Sequence, residues 1–195
     1  MRTKLGRDPS YTTRQLTPGT WPDFEKLFAK HGGVQAGCWC MFYHRPRPIH
    51  EKERASRNRR DKRAFVLARR SHGILVYAGR QAVGWCQFGP REDLPRIDAG
   101  RNYRKLALPE TRKLWRITCF FVDRDYRRKG VAQVALRAAL QAIRKGGGGL
   151  VEAYPATTPR AVATWFGSVA MFERERFRQV AVLGKGNVVM RRRVT

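Results

Sequence analysis

Acidic side chains are scarce in this 195-residue chain: 15 Asp and Glu stand against 41 Lys and Arg, a formal net charge of +26. Such a deficit points to an anionic partner, whether a coenzyme, an acidic substrate, a nucleic acid or a charged membrane surface. An arginine-rich genome would produce part of the same excess with no function attached, so charge alone selects none of these.

Long apolar runs are missing as well, which excludes a helix spanning a bilayer. The N-terminus is polar and basic and has no apolar core of a signal peptide, so a cytoplasmic protein is expected. There are only four cysteines, Cys38, Cys40, Cys86 and Cys119, each among apolar neighbours in strand-like or tight segments. They read as reduced thiols and not as a disulfide framework. No internal repeat or low-complexity domain is present, and the glycine run 146–149 serves only to end a helix and connect it onward. Hydrophobic residues make up 42% of the chain, enough for a core, and the length suits one domain over 1–195 with a loose arm at 1–9.

What is present is concentrated between residues 114 and 154: LWRITCFFVDRDYRRKGVAQVALRAALQAIRKGGGGLVEAY. Residues 117–122 are apolar on both faces, as in a strand buried within a sheet. Beyond them, Ala132, Leu136, Ala139, Leu140 and Ile143 share one helical face, and Gln133, Arg137, Gln141 and Arg144 the other. A second strand begins near Leu150. Where strand passes to helix stands an R-x-x-G-x-A turn, Arg127, Gly130 and Ala132. A helix start offers unpartnered N–H groups and the positive end of the helix dipole. Gly130 lets the main chain approach an anion, Ala132 keeps the first turn clear, and Arg127, Arg128 and Lys129 add charge, which together suit a pyrophosphate.

This block resembles the central motif of the GNAT superfamily of acetyl-CoA-dependent N-acetyltransferases, and GCWCMFY near Cys38, GILVYAGRQAVGWCQFGPR from Gly73 and WFGSVAMFERERF from Trp165 extend the resemblance over most of the chain. It implies an α+β fold: a mixed, mostly antiparallel twisted sheet flanked by helices, with a βαβ coenzyme-binding core. It implies acetyl-CoA as acetyl donor, with Arg127, Arg128, Lys129, Gly130, Val131 and Ala132 at the pyrophosphate and the main chain of Phe121 and Val122 along the pantetheine arm. Trp39, Tyr43 and Trp85 would border the amine acceptor, and no metal is required. Many members carry a glutamate base six residues before the strand valine and a tyrosine acid in the final helix. Those positions here hold Arg116 and Phe172, so neither group carries over.

Substitutes must come from neighbours. Glu152 and Tyr154 are two residues apart and so on one strand face, where Glu152 could relay a proton through water and Tyr154 donate one to the leaving thiolate. The alternative is that Glu152 pairs with an arginine and Tyr154 packs. The backbone N–H of Val122 is the candidate oxyanion donor. Cys119 reads as a core thiol more than an acyl carrier, and proton transfer left to water is a further possibility.

Elsewhere, residues 11–16 alternate as a first strand, and Thr20 is placed to cap a helix that Gly32 and Gly33 end. His31, Cys38, Cys40 and His44 invite a metal, but one residue between the cysteines is short for a zinc pair, and a small hydrophobic strand with buried thiols is the expectation there. Residues 51–70 read as a charged helix with a short stripe of Ala64, Phe65, Leu67 and Ala68. Its arginines suit an acidic polymer, or simply a solvated face, since the run has almost no aromatic residue to stack on bases. A hairpin over 73–77 and 82–89 follows, then an irregular excursion over 90–109. A helix from Thr158 carrying Val162, Trp165, Phe166, Val169 and Phe172, and a last hairpin over 178–184 and 187–194, complete the chain. Two functions remain open: an acetyltransferase acting on a primary amine, as monomer or homodimer with no membrane, and a non-catalytic module binding acyl-CoA or an acidic polymer such as nucleic acid.

Overall fold

A computed structural model describes residues 10–46, 54–109, 113–157 and 165–195. Its seven strands form one sheet in the order β1-β2-β3-β4-β5-β7-β6, where β1 is Tyr11–Gln15, β2 His72–Ala78, β3 Gln81–Pro90, β4 Leu114–Val122, β5 Gly149–Ala153, β6 Arg178–Leu183 and β7 Asn187–Val194. β4 and β5 are parallel and the other neighbouring pairs antiparallel. Both faces of β4 are covered, which is why its sequence shows no polar alternation.

Helix α5, Val131–Lys145, crosses from β4 to β5 and lays Val131, Ala135, Leu136, Ala139, Leu140 and Ile143 on Ile74, Val76, Val83, Ile117 and Val151. Each fully buried Leu or Ile contributes roughly 1.5–3 kcal/mol relative to exposure, so this face, and not intrinsic propensity, fixes the helix. On the opposite face α1, Trp21–Ala29, packs Trp21, Phe24, Leu27 and Phe28 over Leu75, Tyr77, Trp85 and Phe121. Its entry is set by Thr17 and Thr20, which cap each other across a 3₁₀ turn at Pro18–Thr20; Thr20 does not cap α1 with its own side chain.

Several sequence expectations are corrected. Helix α2 spans Arg54–Leu67, but the stripe it buries is Asn58, Lys62 and Val66, with Leu67 61% exposed. Spacing by four puts those three on one face, and a lysine among them disguised it. Residues 37–44 form turns and a 3₁₀ segment at Phe42–His44, not a strand. The excursion after β3 holds two short helices, α3 at Arg96–Ala99 and α4 at Arg101–Arg104. The start of the helix expected from Thr158, including Val162, lies outside the described residues. Of the rest only α6, Val169–Glu173, is helical, because Gly167 turns to φ +73° and Ser168 caps a new start by accepting the N–H of Met171.

Candidate coenzyme and acceptor site

β5 pairs with β4 only as far as Ile117 opposite Ala153, while β4 runs on to Val122. On its other edge β4 carries a bulge: Ile117 partners Phe88 and Cys119 partners Gln87, leaving Thr118 as the extra residue. A bulge turns two successive side chains to one face. Thr118 accordingly reaches Gln87 and Cys119 packs toward α1, while Ile117 and Phe120 both join the α5 core. Main-chain direction follows from Asp123, whose N–H donates to the Val83 carbonyl at 2.9 Å. By alternation the N–H groups of Val122 and Phe120 turn the other way, into the gap that β5 has vacated. Sequence reasoning singled out the main chain of Phe121 and Val122; alternation keeps Val122, turns the Phe121 N–H toward Trp85 on β3 and puts Phe120 in its place, which the period of two would have found.

The strand leaves this gap through a fixed exit. Asp123 is fully buried, accepts from Lys30 Nζ at 2.7 Å and lies 3.5 Å from His31 Nε2. Burial pushes its carboxyl up, but the Lys30 hydrogen bond and charge, the Asp125 N–H and His31 together outweigh burial and hold it below the ordinary value. The turn then exposes Arg127, Arg128, Lys129 and Gly130 ahead of α5. Gly130 sits at φ +75°, and a Cβ built there meets nothing within 4 Å, so open space lies over the helix start. Arg127 reaches the Val122 carbonyl at 3.4 Å and Lys129 the Asp125 carbonyl at 2.9 Å. Neither pairs with a carboxylate there, so their charge stays available to a ligand. Val131 is buried in the core and Ala132 half-buried, which leaves their backbone N–H groups, and not their side chains, as what the first turn presents.

A cavity of about 180 Å³ lies on the α1 side of the bulge, with Tyr43, Phe42, Thr118, Cys119, Trp165 and Phe166 in its wall and Arg45, Arg54 and Arg96 at its edge. Trp165 stacks on Phe121 with an interplanar angle of 11°. Arg45 is tied to Asp61, but Arg54 donates to the Gln35 carbonyl and Arg96 lies over the Phe42 ring, so among the described residues these two guanidiniums meet neutral groups there. Tyr43 lies in this wall, with burial pushing its hydroxyl well above the ordinary range. The other two aromatic candidates are displaced. Trp85 is wholly buried against Phe24 and Phe28, and Trp39 is 5% exposed beneath Arg59. Neither lines the cavity, because their rings fill the core between α1 and the sheet.

Glu152 and Tyr154 do share a face: the Tyr154 hydroxyl donates to Glu152 Oε1 at 2.5 Å. The carboxylate is wholly buried and also accepts from Tyr103 at 2.8 Å and Arg191 at 2.7 Å. Arg116, opposite Glu152 on β4, is wholly buried and clamps Asp98 through two bonds of 2.7 and 2.8 Å. Burial, and then the Glu152 charge, push the Tyr154 hydroxyl well above its ordinary value. Neither Glu152 nor Tyr154 lines the cavity. Their partners are already in place, which is the geometry of a buried anchor and differs from the open relay expected from spacing.

The residues once considered for a metal do not converge, and among the described residues no three His, Cys, Asp or Glu side chains form a metal-binding group. His31 is engaged with Asp123. His44 donates from Nδ1 to the Asp93 carbonyl at 2.7 Å, which leaves Nε2 to accept from Gln87 at 2.8 Å and Lys62 at 3.3 Å. Burial, with Lys62 adding to it, pushes His44 well below its ordinary value, so it is neutral near pH 7.

A profile of the acetyltransferase (GNAT) family matches residues 39–165. Among curated proteins, none matches the chain in sequence. Among solved structures, a GNAT-family protein from Desulfovibrio desulfuricans is similar with a TM-score of 0.58 at 15% identity, covering 95% of this chain and 100% of that one. YncA from Salmonella typhimurium, solved with acetyl-CoA, gives 0.53 at 12% identity over 95% and 94% of the two chains. PaiA N-acetyltransferase from Thermoplasma acidophilum, solved with coenzyme A, gives 0.54 at 10% identity over 94% and 99%. Identities this low speak for the fold alone. The profile match covers most of the chain, and the protein belongs to the acetyltransferase (GNAT) family.

Proposed function

We propose that the protein transfers an acetyl group from acetyl-CoA to a primary amine. The observation that carries this reading is a coincidence of three features along one strand: β5 pairing stops at Ile117, the bulge falls at Thr118, and the exposed anion turn follows at residues 127–130. The open space over Gly130 and the uncompensated Arg127 and Lys129 fit a pyrophosphate. Backbone of Phe120 and Val122 fits an extended pantetheine arm, since a strand edge without a partner is a row of donors and acceptors. Acetyl-CoA supplies an activated acyl thioester. The chain's part is to hold it in that gap, to offer the Phe120 and Val122 N–H groups where negative charge develops on oxygen, and to bring an amine through the adjoining cavity.

The cavity's composition favours one class of acceptor. Aromatic walls with Arg54 and Arg96 at the edge suit an amine on an apolar or aromatic body that also carries an anionic group. Glu152 and Tyr154, each already bonded, serve as a structural anchor in this reading, and proton transfer goes through water. Release of free thiol from acetyl-CoA, followed against a panel of amines, is the test. Turnover with anionic aromatic or apolar amines is expected; no thiol release with any amine would overturn the assignment.

A second reading, a module that binds an acidic polymer, is favoured by one feature. Arg144, Arg176, Arg178, Arg191, Arg192 and Arg193 surround a single concavity at the far end of β7. Polyanion binding there would weaken steeply with salt, whereas acetyl-CoA binding would fall far less.

A further inference from the structure

Cys40 and Cys119 are 79 residues apart in sequence, yet their Sγ atoms lie 3.4 Å apart in the wall of the acceptor cavity. Cys119 reaches this place through the bulge, which turns it to the same face as Thr118. Cys40 reaches it through a strained loop: Trp39 and Cys40 both adopt left-handed backbone, at φ +48° and +50°. Two successive non-glycine residues in that region are unfavourable, and persist only where their surroundings hold them. The Trp39 ring, packed on Phe28, supplies that hold.

The surroundings of the pair are unusual for core thiols. Lys62 is wholly buried, and its described contacts are the Cys40 carbonyl at 3.4 Å, His44 Nε2 at 3.3 Å and the faces of Phe24 and Trp85. None of these is an anion, and the Lys62 charge acts on the neighbouring Cys40 thiol. Burial pushes the Cys40 thiol up, but the hydrogen bond with Cys119, the Lys62 charge and the Trp85 indole N–H outweigh burial and hold it below the ordinary thiol value. A first thiol held below its ordinary value with a second thiol 3.4 Å away is the arrangement a two-step oxidation needs.

We propose that Cys40 and Cys119 form a redox-active dithiol that closes to a disulfide on reaction with a hydroperoxide. The Cys40 thiolate attacks the distal peroxide oxygen, the O–O bond breaks, and the alkoxide or hydroxide that leaves takes up a proton. Cys119 then attacks the sulfur of the resulting sulfenic acid, the S–O bond breaks, and water departs with the Cys119 proton. In sum two thiols lose two electrons to one peroxide, giving a disulfide, an alcohol or water, and one further water. A cavity of about 180 Å³ admits a reagent as small as hydrogen peroxide, and the cross-link ties the segment that carries Tyr43 to the bulge of β4.

The test is peptide mapping of the reduced full-length protein after hydrogen peroxide, with remaining thiols alkylated. The expected product is a Cys40–Cys119 cross-linked peptide pair that dithiothreitol releases, with Cys86 still alkylated. In Cys119→Ser, a sulfenic acid at Cys40 should be trapped by dimedone, since its resolving thiol is gone. The proposal is overturned if both thiols remain alkylatable after peroxide, if the disulfide maps to Cys38–Cys40, or if Cys40 in Cys119→Ser gives no dimedone adduct.

Discussion

Arg116 occupies the β4 position at which many members of this family carry a glutamate base, and its role here is to hold a buried network together. Its guanidinium bridges Asp98, the Leu94 carbonyl and the neighbourhood of Glu152 without any exposure of its own. Arg116→Met would leave Glu152 with Arg191 and the half-buried Asp98 with Arg91 as their remaining cations, and should lower the unfolding free energy by about 3 kcal/mol in urea titrations. A loss below about 1 kcal/mol would contradict that role. Tyr154→Phe separates anchor from acid. Losing one buried hydroxyl costs about 1 kcal/mol of stability, whereas losing a general acid lowers kcat by roughly 10² to 10⁴. The geometry predicts the first, with kcat of the folded enzyme within about threefold of wild type. Lys62 gives a pH-dependent counterpart. Burial pushes its pKa from 10.5 down to about 8, so the folded chain releases this proton before the unfolded chain does. The unfolded state binds more protons between pH 8 and 10.5, and this group's contribution to stability therefore rises with pH across that window. Lys62→Met should accordingly be the more stable protein at pH 7.5, by up to roughly 3 kcal/mol, with the difference shrinking toward pH 10.5. A difference independent of pH would show that the buried lysine keeps the pKa it has in the unfolded chain.

At the scale of elements, β4, the anion turn, α5 and β5 were readable from sequence because period, charge and one glycine all pointed the same way. The hairpins at β2–β3 and β6–β7 were readable for the same reason. The bulge at Thr118 was not, since nothing in ITCFFV marks an extra residue until the β3 register is known. The run from Gly32 to Gly37 was hidden as well: Val34, Gln35 and Ala36 join three glycines at positive φ, a conformation that side-chain type does not announce. The cavity beside the bulge is built from these two unreadable pieces, and of the three aromatic residues singled out in the sequence Tyr43 lines it while Trp39 and Trp85 do not. Gly33→Ala tests the loop. Its Cβ would fall 2.4 Å from Trp39 Nε1, at a φ of +75°. The expected loss is about 1–3 kcal/mol in thermal unfolding, and an unchanged melting temperature would argue against the Trp39 seat.

For the molecule as a whole, the charge of +26 is divided between two uses. Part stands at the anion turn and cavity edge, where it belongs to the proposed reaction, and part rings the concavity at the end of β7. Among the described residues no helix is long and apolar enough to cross a membrane. The central claim is that the turn before α5 seats the coenzyme pyrophosphate. Calorimetric titration of acetyl-CoA into wild type and Gly130→Glu tests it most directly. The account predicts saturable binding to wild type and affinity at least tenfold weaker, about 1.4 kcal/mol, in a variant that still unfolds cooperatively. Equal affinity in the two proteins, or no binding to wild type at millimolar acetyl-CoA, would contradict it.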